Sequence, residues 1–551
     1  MNINSIISQI NNTYGNQTVN PAAEGELIRN LQDGLDSLIS KGNNAFVQGK
    51  IVSIEGGNIL LSIGENQLIN ATLEGNVNAK IGQMMTFNIN MSSSDKISLT
   101  PLFENTSQIS TVSNALSQAN LPNTAEMQYM VKSMMDEGLP VDRESLYGMN
   151  RAVNKFPDTD VLDLVKMNKL GIPLTDDNIQ QFKSYSNYEH QITTAFSDIS
   201  ESLVQSATEW IKTGGAGEGL NIFDNILGTL LEGLENNIAE SGNNTEILSD
   251  GKETLTANTS DAEAIIQNNN QDAKHVSTGV NPEVNQLKYE FLNELKNAGI
   301  DENVINKFNN NVMLNENDIQ KLVSELKKLP ESPESAKTIE GLFDNQIFKD
   351  SIKKAVTDKY LLTPEEISKE GKVNSLYEKI QDNMKTILDS MQNAGKTESP
   401  VFNNINNLNN NLDFMNQINQ AFTYVQIPLK LSNQNSNGDL YVYTNKKSLA
   451  QKDGDISALL HLDMDNLGSV DVHVALTSAN NVKTKFYLKD EIALELIAAN
   501  IHTLNERLEK RGYNMNAEFI NKNDNKSVID NIIESKGNIS GVYSGSFDAR
   551  A

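Results

Sequence analysis

Along the first hundred residues the spacing of apolar positions changes once. Leu27, Ile28, Leu31, Leu35, Leu38 and Ile39 recur at intervals of three and four, which predicts a short amphipathic helix over 25–41 that stops at Gly42. From Ala45 the period falls to two. The segments FVQGKIVSI, NILLSI, QLINATL, MMTFNINM and KISLTPL are separated by Gly- and Asn-rich turns. They predict five short strands forming a small β-barrel over 45–104.

Beyond the barrel the period returns to that of a helix. NLPNTAEMQ at 120–128, GLPVDRESL at 138–146 and GIPLTDDNI at 171–179 form a weak internal repeat. In each, a Gly or Asn ends one helix, Pro122, Pro140 or Pro173 forces an extended turn, and Thr124, Asp142 or Thr175 is placed to cap the next helix. The signatures of tetratricopeptide and ankyrin repeats are missing, so 105–240 is read as an irregular bundle of helical hairpins. A second helical region spans 286–420, with Gly299 ahead of an Asp301 cap. There the Asn-rich run FNNINNLNNNLDFMNQINQ still spaces Phe402, Ile405, Leu408, Leu412 and Met415 at helical intervals. Few large apolar residues occur in 241–285, which predicts a disordered linker. Residues 1–44 are read as an export leader with the amphipathic helix, and 526–551 as a tail.

A compact α+β domain is expected over 421–525. Ile456, Ala458, Leu460, Leu462 and Met464 share one strand face, and Val470, Val472, Val474 and Leu476 share another. The turn Asp465-Asn466-Leu467-Gly468 joins them as a hairpin. A third strand carries Val482, Phe486 and Leu488. Asp490 then caps a helix with Ile497, Ile501, Leu504 and Leu508 on one stripe before Gly512, and Met515, Ala517 and Phe519 form a closing strand. The fold class is therefore multidomain α+β: an N-terminal barrel, a helical middle with linkers, and a C-terminal antiparallel sheet with one long helix. Pairing Leu462 with Val472 would set His461 opposite His473 on a solvated outer face. Two imidazoles alone make a poor metal site, and no metal is expected.

Composition narrows the function. Forty-five basic against 72 acidic residues give a net charge of −27 and a pI near 4.6, which opposes phosphate backbones and anionic surfaces. The barrel offers only Phe46, Phe87, Lys50, Lys80 and Lys96 to an oligonucleotide, too few for stacking and a basic groove, so no nucleic acid is expected. Zero cysteines remove disulfides and thiolate chemistry. No run approaches the roughly 18 to 20 apolar residues of a membrane span, and no membrane insertion is expected. The leader MNINSIISQINNTYGNQTVN has no Lys or Arg before Arg29, unlike a secretory signal, so export would need another route.

Catalytic signatures are thin. GxSxG, HExxH and Walker motifs are absent, and the Gly214–Gly219 run lacks a phosphate-binding Lys. The DMDNLG segment imitates a calcium loop, but Leu467 and Val474 stand where ligands are required. Trp210, in a helical stretch, reads as core or interface rather than part of a cofactor site. No enzyme activity and no cofactor are expected.

The run LLHLDMDNLGSVDVHVAL, then KFYL, then LELIAANIHTLNERLEKRGYNMNAEF resembles the C-terminal domain of flagellar hook-length control proteins, with Leu467, Gly468, Val470, Val472, Leu508 and Gly512 at the family's positions. The family's Pro before the turn is Met464 here. The resemblance implies a non-enzymatic flagellar assembly protein that controls hook length and switches type III export from hook to filament substrates. It implies export through the flagellar type III apparatus without a cleaved signal. The implied partners are the export-gate switch protein and hook subunits or the hook cap, met by a single copy of the chain. The expected contact surface is Leu467, Gly468, Val470, Val472 and Val474, although the same residues also suit a sheet core. The alternative is a cytosolic protein-binding scaffold built on the barrel and helical repeats.

Overall fold

The computed structural model describes residues 21–42, 45–64, 67–74, 80–93, 96–103, 106–233, 282–421, 423–431, 434–442, 456–464, 467–476 and 480–521. The leader, most of the expected linker and the tail lie outside them. The chain divides into two compact units between Lys183 and Ser184, within the stretch expected to form one helical bundle.

In the first unit, helix α1 (Pro21–Lys41) precedes strands β1 (Phe46–Glu55), β2 (Asn58–Ser62), β3 (Leu68–Leu73), β4 (Met84–Ser93) and β5 (Lys96–Pro101). They close as a barrel in the order β1-β2-β3-β5-β4, with β3 and β5 parallel and the other pairs antiparallel. Closure leaves no free edge. Val47, Ile51, Ile59, Leu61, Ile69, Met85, Phe87, Ile89 and Leu99 fill the interior, and Leu38 of α1 joins that core. At Gly34 the helix passes so near the Leu68 carbonyl that a Cβ would lie 2.0 Å from its oxygen, so only glycine fits.

Helices α2 (Thr106–Gln118), α3 (Ala125–Asp136), α4 (Arg143–Lys155), α5 (Val161–Leu170) and α6 (Asp176–Ser186) follow. The three expected caps are present. Thr124 accepts from Met127 N, Asp142 from Glu144 N and Ser145 N, and Thr175 from Asn178 N. Gly138 and Gly171 take the left-handed conformation at the preceding helix ends.

The second unit holds α7 (Ile192–Gly214), α8 (Ala216–Leu231), α9 (Pro282–Asn297), α10 (Glu302–Asn309), α11 (Glu316–Leu326), α12 (Pro333–Asp344), α13 (Gln346–Lys359), α14 (Pro364–Ile367), α15 (Lys372–Asn393) and α16 (Pro400–Ala421). Helix α9 begins at Pro282, a few residues inside the expected linker. Helix α7 packs against α8, α13 and α16 and buries Phe196, Ile199, Leu203 and Trp210. The Asn-rich α16 is a full helix. Val401, Ile405, Leu408, Leu412 and Phe414 face the core, while Asn404 donates to Asp198 O and Ser202 Oγ.

Strands β6 (Thr423–Lys430), β7 (Asn435–Val442), β8 (Ile456–Met464), β9 (Gly468–Leu476), β10 (Asn481–Leu488) and, after helix α17 (Glu491–Glu509), β11 (Asn514–Asn521) form one six-stranded sheet in reverse sequence order. The sheet is not wholly antiparallel as expected. β10 and β11 run parallel, because α17 carries the chain back to the end at which β10 began. Pro428 sits on the edge strand β6, whose outer side is covered by Leu362 through Leu362 N to Pro428 O and Lys430 N to Leu362 O.

Candidate functional site

The β8–β9 hairpin centres the site. Gly468 opens β9 at φ +68, a left-handed conformation that a side chain would strain, and Met464 pairs with Gly468 across the turn. From there the register runs Leu462 opposite Val470, Leu460 opposite Val472 and His461 opposite Asp471. The expected Leu462–Val472 pairing is therefore two residues off. His461 does not face His473, which lies opposite Leu459 with its ring against Tyr487. His461 is also not on a solvated face: it is 2% exposed. The shift of two keeps every side chain on its face while changing every cross-strand neighbour.

The five residues expected to meet a partner separate by position. Val470, 2% exposed, packs with Phe486, Leu488 and Ala493, and Val472 and Leu467 lie half-buried against the same cluster. Val474 is half-buried one step along β9, and Gly468 is exposed at the hairpin tip. Helix α17 covers this face through Leu494, Ile497 and Ile501. Leu504, expected on that stripe, is 39% exposed, and Ile492 and Leu496 are 79% and 54% exposed.

The opposite face carries a polar seam that sequence reasoning missed. Asp439 on β7, His461 on β8 and Asp471 on β9 form a row across three strands. His461 Nδ1 lies 2.5 Å from Asp471 Oδ1, and its Nε2 lies 3.4 Å from Asp463 Oδ1 without an aligned hydrogen bond. Burial alone would lower the His461 pKa, but the carboxylates of Asp463 and Asp471 overcome it and push the imidazole up to about 10. Asp463 is held low, chiefly by His461, against its own burial.

The segment between α6 and α7 closes over this row. Tyr188 sits at φ +58, a costly conformation for an aromatic residue, and its ring lies 4.7 Å from that of His461. His190 Nε2 reaches Asp439 Oδ1 at 3.1 Å, and the Tyr424 hydroxyl donates to the same oxygen at 2.6 Å. Gln191 donates to Asp463 Oδ2 at 2.8 Å and accepts from Asn437. Beside them Tyr185 donates to Asn411, Gln426 donates to Tyr185, and Asn411 donates to the His190 carbonyl. Burial, then the charge of Asp439, raises the phenol pKa of Tyr185 and Tyr424, which keeps both as donors. The only signal in the sequence was a polar residue at alternate positions of these strands, as at His461, Asp463 and Asp471.

Among the described residues no group of three His, Asp or Glu side chains is arranged to hold a metal ion, and no helix is long and apolar enough to cross a membrane.

Comparison with known proteins places the domain. No curated protein and no solved structure matches the chain. Residues 445–527 match the family model described as "Flagellar hook-length control protein FliK". The match starts after β7, so it takes in β8 to β11 and α17 and leaves β6 and β7 with the helical part of the unit. Strands β8 to β11 with helix α17 are thus similar to the flagellar hook-length control domain over the matched residues.

Proposed function

We propose that the protein is a non-enzymatic flagellar assembly factor that controls hook length and switches type III export from hook to filament substrates. The observation that carries the reading is the family match over 445–527, which coincides with the β8–β11 sheet and α17. The hairpin tip at Leu467 and Gly468, with Val470, Val472 and Val474 setting its register, is the surface offered to the export-gate switch protein. The chain ahead of this domain is exported through the type III apparatus and meets hook subunits or the hook cap. Such a route requires a chain that unfolds readily, and the absence of cysteine leaves no covalent cross-link to oppose it. At about 3.3 to 3.6 Å per residue an extended chain of this length spans on the order of 1,800 to 2,000 Å, ample for a ruler acting over tens of nanometres.

The test is hook length by electron microscopy in cells lacking residues 456–520. Abnormally long hooks without filaments are the expected result. Normal hooks and filaments, with the full chain retained in the cytosol, would replace this reading with that of a protein-binding scaffold.

A further inference from the structure

Helix α4 presents an unusual surface for so acidic a chain. Arg143, Tyr147, Arg151 and Lys155 recur every fourth residue, so they lie along one side of the helix over about 18 Å, while Leu146 and Met149 on the other side are buried. Two of the chain's six arginines fall in this stripe. Arg143, Tyr147 and Arg151, with Glu144, line an open groove of about 420 Å³.

The cations here are handled differently from their neighbours. In the same unit Lys132 pairs with Asp136 and Lys169 with Glu137. Among the described residues Arg143, Arg151 and Lys155 pair with no carboxylate. Arg143 instead lies 5.6 Å over the Tyr147 ring, and Lys155 lies 4.7 Å over Phe156. A guanidinium held against a ring keeps its in-plane donors free, and those donors match a carboxylate in two-point fashion.

We propose that this face of α4 is a docking surface for a short acidic helix of a partner protein. The length limit comes from the ends of the stripe. Asp142 and Glu144 bound it on one side and Asp158 and Asp160 on the other, so a long polyanion such as a nucleic acid would run onto carboxylates. A helix with Glu at every fourth position sets its carboxylates about 6 Å apart along its axis, the spacing of the α4 stripe itself. Tyr147 supplies an apolar contact at the centre. The proposal is independent of the C-terminal domain and of the function assigned to it.

The test uses the full chain and a fluorescein-labelled, alanine-based helical 16-mer with glutamate at every fourth position, followed by anisotropy at low and moderate salt. The chain is expected to bind it in a salt-dependent manner, and R143Q/R151Q to weaken binding tenfold or more with an unchanged circular dichroism spectrum. R143E/R151E is expected to lose the glutamate peptide and bind its lysine counterpart, which separates lost charge from lost folding. Equal binding by the chain and R143Q/R151Q, no binding by the chain, or tighter binding of a single-stranded 12-mer DNA would each overturn the proposal.

Discussion

The barrel and the C-terminal sheet are both built from short alternating strands, and they differ in what each strand's second face meets. In the barrel one face turns inward onto Val47, Ile59, Phe87, Ile89 and Leu99 and the sheet closes on itself, while part of the outer face is covered through Leu31 of α1 against Leu60. In the C-terminal sheet one face meets α17 through Val470, Phe486 and Leu488, while the other is covered near β6 to β9 by polar side chains. Apolar alternation marks the inward face in the first case and the face under α17 in the second, and in the second it leaves the polar covered face unannounced. A polar residue opposite a core position is solvated only if nothing else covers it, and here Tyr188, His190 and Gln191 do.

The comparison can be broken most forcefully in the barrel. Phe87 is fully buried in the apolar cluster of the barrel, so Phe87→Ala is expected to cost about 3–5 kcal/mol, read as a lowered urea midpoint for the first unit. An unchanged midpoint would remove Phe87 from the packed interior of the barrel. In the sheet, Asp471→Asn removes the carboxylate nearest a buried imidazole. A loss of about 2–4 kcal/mol in the second unit is expected, whereas a surface pair would cost under about 1 kcal/mol.

A smaller and more specific effect follows from pH. The folded His461 pKa, near 10, exceeds its unfolded value of about 6.5, so its contribution is complete below about pH 6.5 and is lost as pH rises through 10. Asp463 is depressed, so its contribution is present above about pH 4 and is lost on acidification. Denaturation of the chain and of His461→Gln at pH 6, 8 and 10 should show a stability difference that shrinks as pH rises. A constant difference would remove His461 from the charged seam. The smallest effect is expected at the hairpin, where Gly468→Ala meets open space but a left-handed backbone, costing about 1 kcal/mol without altering the core.

Local chemistry explains what the sequence made legible. Thr124, Asp142, Thr175, Asp301 and Asp490 all cap helices as their positions implied, because a cap is decided by a few adjacent residues. The alternation of β8 and β9 assigned Val470 and Val472 to the correct face for the same reason. The hairpin register escaped because it depends on the turn geometry at Gly468, and a shift of two leaves the apolar pattern intact. The polar seam escaped because its halves are remote in sequence. His190 and Asp439 are 249 positions apart, and nothing near either residue announces the other. Asn404 and Asn411 looked like a reason to doubt a helix, yet they hydrogen-bond to α7 and to the segment just before it.

That separation also has a consequence in time. Barrel contacts join strands within one short stretch of chain, so the entropy lost in closing their loops is small, and the barrel is expected to form soon after its last strand is available. The seam must wait until segments on either side of a long intervening stretch have found each other, and β11 cannot join its neighbour before α17 has turned the chain back. A molecule passed from one place to another as an open thread would thus regain its barrel early and its C-terminal sheet late. Between those two moments the strands later covered by the seam stand open to whatever they encounter first.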